Sequence, residues 1–176
     1  MSTKKTTNED EFFPGGEDYK IPVTKDYLNK FEQGETTFRI LSKAVIGYVY
    51  FNKDNKPIRQ KENFESVPED IKKDGSVKHF WACVVWNYTA ERIQILEISQ
   101  KSIMTAMKVL IDNPKWGSPQ KYDISVIRKG TTMNDTEYAV MPNPATELTE
   151  VIKTAYAARP VNLEALFEGE DPFKVA

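Results

Sequence analysis

The chain has 176 residues, of which 40% are hydrophobic, 11% aromatic and 28% charged. This composition is typical of one compact globular domain with room for tails, and it excludes a disordered or fibrous protein. The formal net charge of −2 argues, as a bulk number, against a nucleic-acid-binding protein, because such proteins are usually basic. No apolar run approaches the roughly 20 residues of a membrane span. The polar first ten residues lack the core of a secretory signal, so we expect a cytoplasmic protein without a membrane partner.

The N-terminal part of the chain is polar at first and then becomes a strand. Residues 1–30 predict a flexible acidic segment, and the stretch 24–31 predicts a short helix near its end. Residues 36–51 are rich in β-branched and aromatic side chains. They predict one long strand, or two strands joined by a bend near Lys43 or Gly47.

The central part of the chain combines strands with one helix. A polar, highly charged connection over 52–78 precedes the next strand. Strands are predicted at His79–Tyr88, Glu91–Ile98, Tyr122–Lys129 and Thr136–Met141. The helical spacing of Ile103, Met107 and Leu110 predicts a helix between the third and fourth strands, capped by Ser99.

The resulting order, β-β-β-α-β-β, matches the OB-fold, a small barrel that often binds oligonucleotides on one face. We therefore predict a mainly β protein with a five-stranded OB-fold barrel over residues 31–143 and a helix between strands 3 and 4. Residues 144–176 predict a C-terminal helical extension, with an amphipathic helix over 146–158, a shorter helical turn over 163–167 and an acidic tail.

Catalytic constellations are absent from the sequence pattern. There is no Gly-rich phosphate loop and no nucleophile elbow. The only histidine, His79, and the only cysteine, Cys83, exclude a zinc site of four Cys/His ligands, and we expect a structural His79 and a buried, inert Cys83. Glu97 and Asp123 are the only candidate acids for a nuclease on this scaffold. We therefore predict a protein that is not an enzyme and holds no metal or cofactor.

The charges are distributed unevenly along the chain. Residues 36–143 carry a net charge of +4, whereas 1–35 and 144–176 carry −3 each. A single nucleic-acid strand needs cations along its phosphates and aromatic faces for its bases, which contribute about 1–3 kcal/mol per stacked base. The candidate DNA-binding residues combine both types: Arg39, Lys43, Tyr48, Tyr50, Arg59, Lys61, Trp86, Tyr88, Arg128, Lys129 and Tyr138.

Strand alternation leaves open which aromatic side chains of the strand 79–88 face a ligand. Trp86 and Tyr88 share one face with Phe80, whereas Trp81 and Cys83 share the other. Both faces are largely apolar, so the alternation of side chains does not identify the face that points to the core. A bulge can also switch the following residues from one face to the other. We favour Trp86 and Tyr88 over Trp81 as a stacking pair. Packing in the core is the competing interpretation for each aromatic residue.

An ordered series of stretches resembles one known family. These stretches are FEQGETTFRIL at 31–41, FWACVV at 80–85, QILEISQKSI at 94–103, YDISVIRKG at 122–130 and TEY at 136–138. The series, which covers about residues 30 to 143, resembles bacteriophage single-stranded DNA-binding proteins with an OB-fold core. Some phage members of that family carry a structural zinc, and this chain departs from them because it lacks the ligands.

The resemblance implies a non-enzymatic role: coating and protecting single-stranded DNA during phage replication, recombination or repair, in the host cytoplasm. It also implies an acidic C-terminal tail that recruits replication or recombination proteins and competes with DNA for the basic groove. The residues that match such a tail are Glu168, Glu170, Asp171 and Phe173, although Lys174 to Ala176 follow the expected tip. Self-association is a further interaction compatible with this class. The alternative is an OB-fold adaptor for a protein or peptide partner, which the acidic ends and the negative total charge favour.

Overall fold

The computed structural model describes residues 26–69 and 77–174, and their fold is mainly β, with one mixed sheet and a few helices. The strands are β1 (Tyr27–Leu28), β2 (Gly34–Ile40), β3 (Val45–Phe51), β4 (Pro57–Gln60), β5 (Lys78–Asn87), β6 (Arg92–Ile98), β7 (Ile124–Lys129) and β8 (Glu137–Pro142). The helices are α1 (Lys101–Asp112), α2 (Glu150–Ala158) and α3 (Ala165–Glu168). No helix in these two ranges has the length and apolarity needed to cross a bilayer.

β2 and β3 are the two halves of the long strand predicted over 36–51, and the bend expected near Lys43 is confirmed. β2 pairs with the C-terminal half of β5, whereas β3 pairs with its N-terminal half. Four residues, 41–44, lie opposite only two residues of β5, which is the geometry of a bulge. The Val84 amide donates to the Ser42 hydroxyl and the Leu41 amide donates to the Val84 carbonyl, so the bend is held against β5.

The sheet has the strand order β1-β6-β5-β2-β7-β8, and β3 and β4 extend it beside the N-terminal half of β5. Every strand predicted from the sequence is present in order. In the described part of the chain β6 and β8 are not hydrogen-bonded to each other, so the five strands do not form a closed barrel. Helix α1 packs against β8. The architecture is compatible with a barrel-like fold.

The alternating residues of β5 are buried in different clusters, which explains why both of its faces are apolar. Cys83 and Val85 point into the main core, together with α1 and β7. Phe80 and Ala82 point to the other side and pack against α3. Further along that same side, Trp86 packs against α2. The C-terminal extension is thus continuous with the sheet rather than separate from it.

The expected helix over 24–31 is wrong for the part that the structure describes, residues 26–31. Tyr27 and Leu28 form β1, which pairs in parallel with β6. Leu28 and Phe31 are buried, and their spacing of three resembles a helical pattern although the backbone is extended. Residues 26–30 of the segment predicted to be flexible thus include the short strand β1. Residues 1–25 lie outside the described residues.

Other element boundaries also differ from the expectation. Strand β4 lies within the connection predicted over 52–78, because the turn after β3 brings it back as a hairpin. The side chain of Asn52 accepts hydrogen bonds from two backbone amides of this turn. The N-cap of α1 is Gln100 rather than Ser99. Helix α2 begins at Glu150, later than expected, because the Thr149 hydroxyl caps the amide of Ile152.

Candidate functional site

Among the described residues, one face of the sheet extension formed by β3, β4 and the start of β5 is partly exposed, and we call it the open face. The strand register aligns Ile46 with Trp81, Tyr48 with His79, and Tyr50 with Ile58. Directly paired residues of antiparallel strands project on the same side. The open face therefore consists of Ile46, Tyr48, Tyr50, Ile58, His79 and Trp81, together with Gln60, which is aligned with Tyr48.

Aromatic rings and exposed aliphatic groups dominate the open face. The rings of Tyr48 and His79 are 4.9 Å apart, and Phe64 packs edge-on against Tyr50 with ring centroids 4.8 Å apart. Ile46 is 55% exposed and Ile58 is 37% exposed. Contiguous apolar surface of this kind usually marks a binding site.

Lysines border the open face. The bend before β3 carries Lys43, and the turn between β3 and β4 carries Lys53 and Lys56. Lys78, at the start of β5, is aligned with Val49 and therefore projects on the opposite side. The side chains of Lys43, Lys53 and Lys56 are exposed, and none forms an ion pair with another described residue. Their charges are therefore available to an anionic ligand.

The opposite side of the same strands, the covered face, carries α3. Its core contains Val49, Phe80 and Leu166. Gly47 lies at the closest contact, where a Cβ atom would be 2.7 Å from a ring carbon of Phe167 and 2.6 Å from the Gln60 carbonyl oxygen. Only glycine leaves room for the Phe167 ring at this position.

The two basic residues predicted on the 52–78 connection point to the covered face and are paired with carboxylates. Arg59 donates to both oxygens of Glu97, at 3.1 and 2.8 Å, and its guanidinium lies 5.7 Å from the Phe80 ring centroid. Lys61 forms an ion pair of 2.8 Å with Glu164 of the C-terminal segment. Arg59 is about nine-tenths buried. The prediction that Arg59 contacts phosphate is therefore corrected, because its charge is neutralised within the fold.

The predicted partner tail is folded back onto the domain. Phe173 packs edge-on against Tyr27, with centroids 6.4 Å apart, and the Arg159 guanidinium lies 3.9 Å from the Phe173 ring. The carbonyl of buried Pro172 accepts a hydrogen bond from the Asn162 amide. The three acidic residues of the tail remain exposed: Glu168, Glu170 and Asp171.

Two other predicted contacts, Arg39 and Trp86, are corrected because both side chains are buried. Arg39 is 1% exposed; its Nε pairs with Asp123 at 2.9 Å and its other nitrogens donate to Thr146 and to the Gln120 carbonyl. Trp86 packs beneath α2 beside Ile152. The tryptophan that reaches the open face is Trp81, and only the register with Ile46 distinguishes it from Trp86.

The remaining predicted residues lie towards the far end of the sheet. Tyr88 donates its hydroxyl to Asp123, and Arg128 donates to the Phe31 carbonyl while its Nε is buried without a partner among the described residues. Tyr138 packs edge-on against Phe31, and Lys129 is exposed. The eight residue steps from His79 to Asn87 span about 26 Å. The structure thus places Tyr48 and Tyr50 on one face of β3 and Lys43 at the bend before this strand, and it separates the two tyrosines from these four residues.

The candidate catalytic groups are engaged in the fold. Glu97 is paired with Arg59, and Asp123 with Arg39 and Tyr88. Within 26–69 and 77–174, no group of three or more His, Cys, Asp and Glu side chains is arranged to hold a metal ion. Cys83 is buried as predicted, and burial raises the pKa of its thiol to about 12.

Comparison of the chain with protein-family models, with curated proteins and with solved structures finds no match. The open face, its lysines and the strand order are therefore the observations from which a function is inferred.

Proposed function

We propose that the protein binds single-stranded DNA, without sequence preference, on the open face of β3, β4 and β5. The observation that carries this proposal is the row of aromatic side chains and exposed aliphatic side chains on this face, bordered by lysines that form no ion pair with another described residue. Every base has a flat face that stacks on such rings, and the lysines supply charges for the phosphates.

The form of the site favours a single strand over a duplex. The ring of Tyr48 beside His79 and the ring of Tyr50 beside Phe64 are two positions along β3 on which bases can stack. In a duplex the base faces are already stacked on each other, so they are not available to these rings. Stacking also tolerates any base, because it does not depend on hydrogen-bond patterns.

The finer fold assignment is part of the proposal. β2 with β3, β5, β6, β7 and β8 have the order of the five strands of an OB-fold, and α1 lies between the third and fourth. In this assignment the barrel is open between β6 and β8. OB-folds commonly bind oligonucleotides across the face of their second and third strands, and the open face includes the start of the second, β5.

The biological role that fits this activity is non-enzymatic: coating and protecting exposed strands during phage DNA replication, recombination or repair, in the host cytoplasm. The exposed acids Glu168, Glu170 and Asp171 are available to a replication or recombination protein. Phe173 is packed against Tyr27, so a partner that needs this ring has to displace the end of the chain.

Titration with oligo(dT) tests the proposal. We expect quenching of tryptophan fluorescence by the oligonucleotide and weak binding of a duplex of the same length. Tyr48→Ala is expected to lower the affinity for oligo(dT) about tenfold, within the 1–3 kcal/mol of one stacked base. Tyr48→Phe keeps the aromatic face and is expected to bind like the unmodified protein. If oligo(dT) does not bind even at low salt, the proposal is wrong.

A second candidate function is an adaptor that binds a protein or peptide. The observation in its favour is the same apolar surface, where Ile46 and Ile58 offer aliphatic contacts that suit a peptide side chain as well as a base. A pull-down that retains a partner through Tyr48, from a protein without salt-sensitive affinity for DNA, would favour the adaptor.

A further inference from the structure

A cavity of about 180 Å³ opens beside the open face, at the end of the sheet where α1 meets the bend between β2 and β3. We call it the end pocket. Its walls include Trp81, Cys83, Leu96, Ile98 and Met107, and its rim includes Lys43, Ala44 and Gln120. Trp81 belongs to both the end pocket and the open face, so the two are continuous.

The walls of the end pocket are apolar: the inner ones are buried, whereas Trp81 is half-buried and Ile111 is exposed. Leu96 and Ile98 are each 1% exposed and Met107 is 3% exposed. Water needs two to four polar partners in a cavity, whereas apolar cavities of about 150 Å³ stay dry and bind a ring such as benzene. The end pocket therefore suits one flat aromatic ring better than ordered water.

The rim of the end pocket, unlike its walls, carries polar side chains. Lys43 is exposed and forms no ion pair with a described residue, and the side-chain amide of Gln120 makes no hydrogen bond with one. An amide offers donors and an acceptor together. It can therefore meet the edge of any base, while the lysine is positioned for a phosphate next to that base.

We propose that the end pocket receives one nucleobase of a strand bound on the open face, inserted edge-first between Trp81 and α1. This inference rests on the proposed function. The bound strand stacks on Tyr48 and Tyr50 and turns one base inward at the bend, with its phosphate beside Lys43. Met107 then contacts a base that no surface-bound strand can reach.

Photocrosslinking with oligo(dT) that carries 5-iodouracil locates the bases directly. We expect a crosslinked peptide that contains Met107, since this side chain lines the end pocket and is only 3% exposed. Crosslinks confined to Tyr48, Tyr50 and His79 would overturn the inserted base and leave the proposed function intact. Failure of the unmodified protein to bind oligo(dT) would overturn both.

A variant that fills the cavity gives a second, independent test. Ala44 lies in the bend, outside the strands, and is exposed at the rim, so Ala44→Leu is expected to fold normally. It should lower the affinity for oligo(dT) about tenfold, whereas Ala44→Ser, which adds little volume, should bind like the unmodified protein. Equal binding by Ala44→Leu and Ala44→Ser, with unchanged thermal unfolding, would show that no base enters.

Discussion

At the scale of single residues, Arg39 shows how a basic side chain on a strand can serve the fold instead of a ligand. It joins β2 to the segment after α1 through Gln120 and Asp123, and to the segment before α2 through Thr146. The rigid, multi-donor guanidinium suits this role, because it satisfies several acceptors that are fixed in different directions. Arg39 therefore holds together parts of the chain that are distant in sequence.

Replacing Arg39 with alanine is expected to reduce the free energy of unfolding by about 3 kcal/mol, because Asp123 loses its ion-pair partner and the carbonyls of Gln120, Lys121 and Thr146 lose a donor. Urea unfolding measures the change. The exposed residue Lys129 provides the control, since Lys129→Ala should stay within about 0.5 kcal/mol of the unmodified protein. If Arg39→Ala leaves the stability unchanged but abolishes the affinity for oligo(dT), Arg39 contacts DNA and its structural role is wrong.

At the scale of secondary-structure elements, α3 supports β3 and β4 from behind. The Phe167 ring lies over Gly47 and 6.0 Å from the ring centroid of Phe80, and Lys61 is tied to Glu164. The C-terminal segment is thus packed on the covered face, whereas the proposed site for single-stranded DNA is on the open face. In this arrangement the segment stabilises the proposed site. It does not compete with DNA for that site, in contrast to the competition that the family resemblance implies.

Phe167→Ala is accordingly expected to lower the affinity for oligo(dT) several-fold and to reduce the free energy of unfolding by about 2 kcal/mol, because a partly buried ring is removed. Fluorescence titration and urea unfolding measure the two effects. Phe51→Ala removes a ring from the same sheet extension that is 49% exposed, and it should change stability little. An increase in affinity on removal of the Phe167 ring would instead support competition by the tail.

The same scale shows what the sequence could and could not predict. The strands β5 to β8 and helix α1 have strong local patterns, and their predicted bounds agree with the structure within about two residues. β1 and β4 have only two and four residues, so they depend on pairing with β6 and β3, which no local pattern reveals. The identity of the open face also depended on packing, since α2 and α3 cover the side of β5 that carries Phe80 and Trp86.

At the scale of the whole molecule, the basic residues on the covered face of the sheet extension are paired with carboxylates. Arg59 and Lys61 on the covered face are neutralised by Glu97 and Glu164, and the exposed acids of the tail follow α3 on that side. Lys43, Lys53 and Lys56, which form no ion pair with another described residue, border the open face, and the exposed acids Asp54, Glu62 and Glu65 lie on the same turn and the next loop. A net charge of −2 is compatible with binding an anionic strand where the strand follows these lysines.

This distribution predicts a shallow salt dependence of oligo(dT) binding. Each phosphate neutralised on a single strand contributes about −0.7 to the slope of log K against log salt concentration. The three bordering lysines, Lys43, Lys53 and Lys56, therefore give a slope of about −2. Lys43→Gln should reduce its magnitude by about 0.7, whereas Lys108→Gln, on α1 and paired with Asp112, should leave it unchanged. Titrations at several salt concentrations measure the slope, and a slope near zero would mean that the lysines do not contact phosphates and that stacking alone holds the strand.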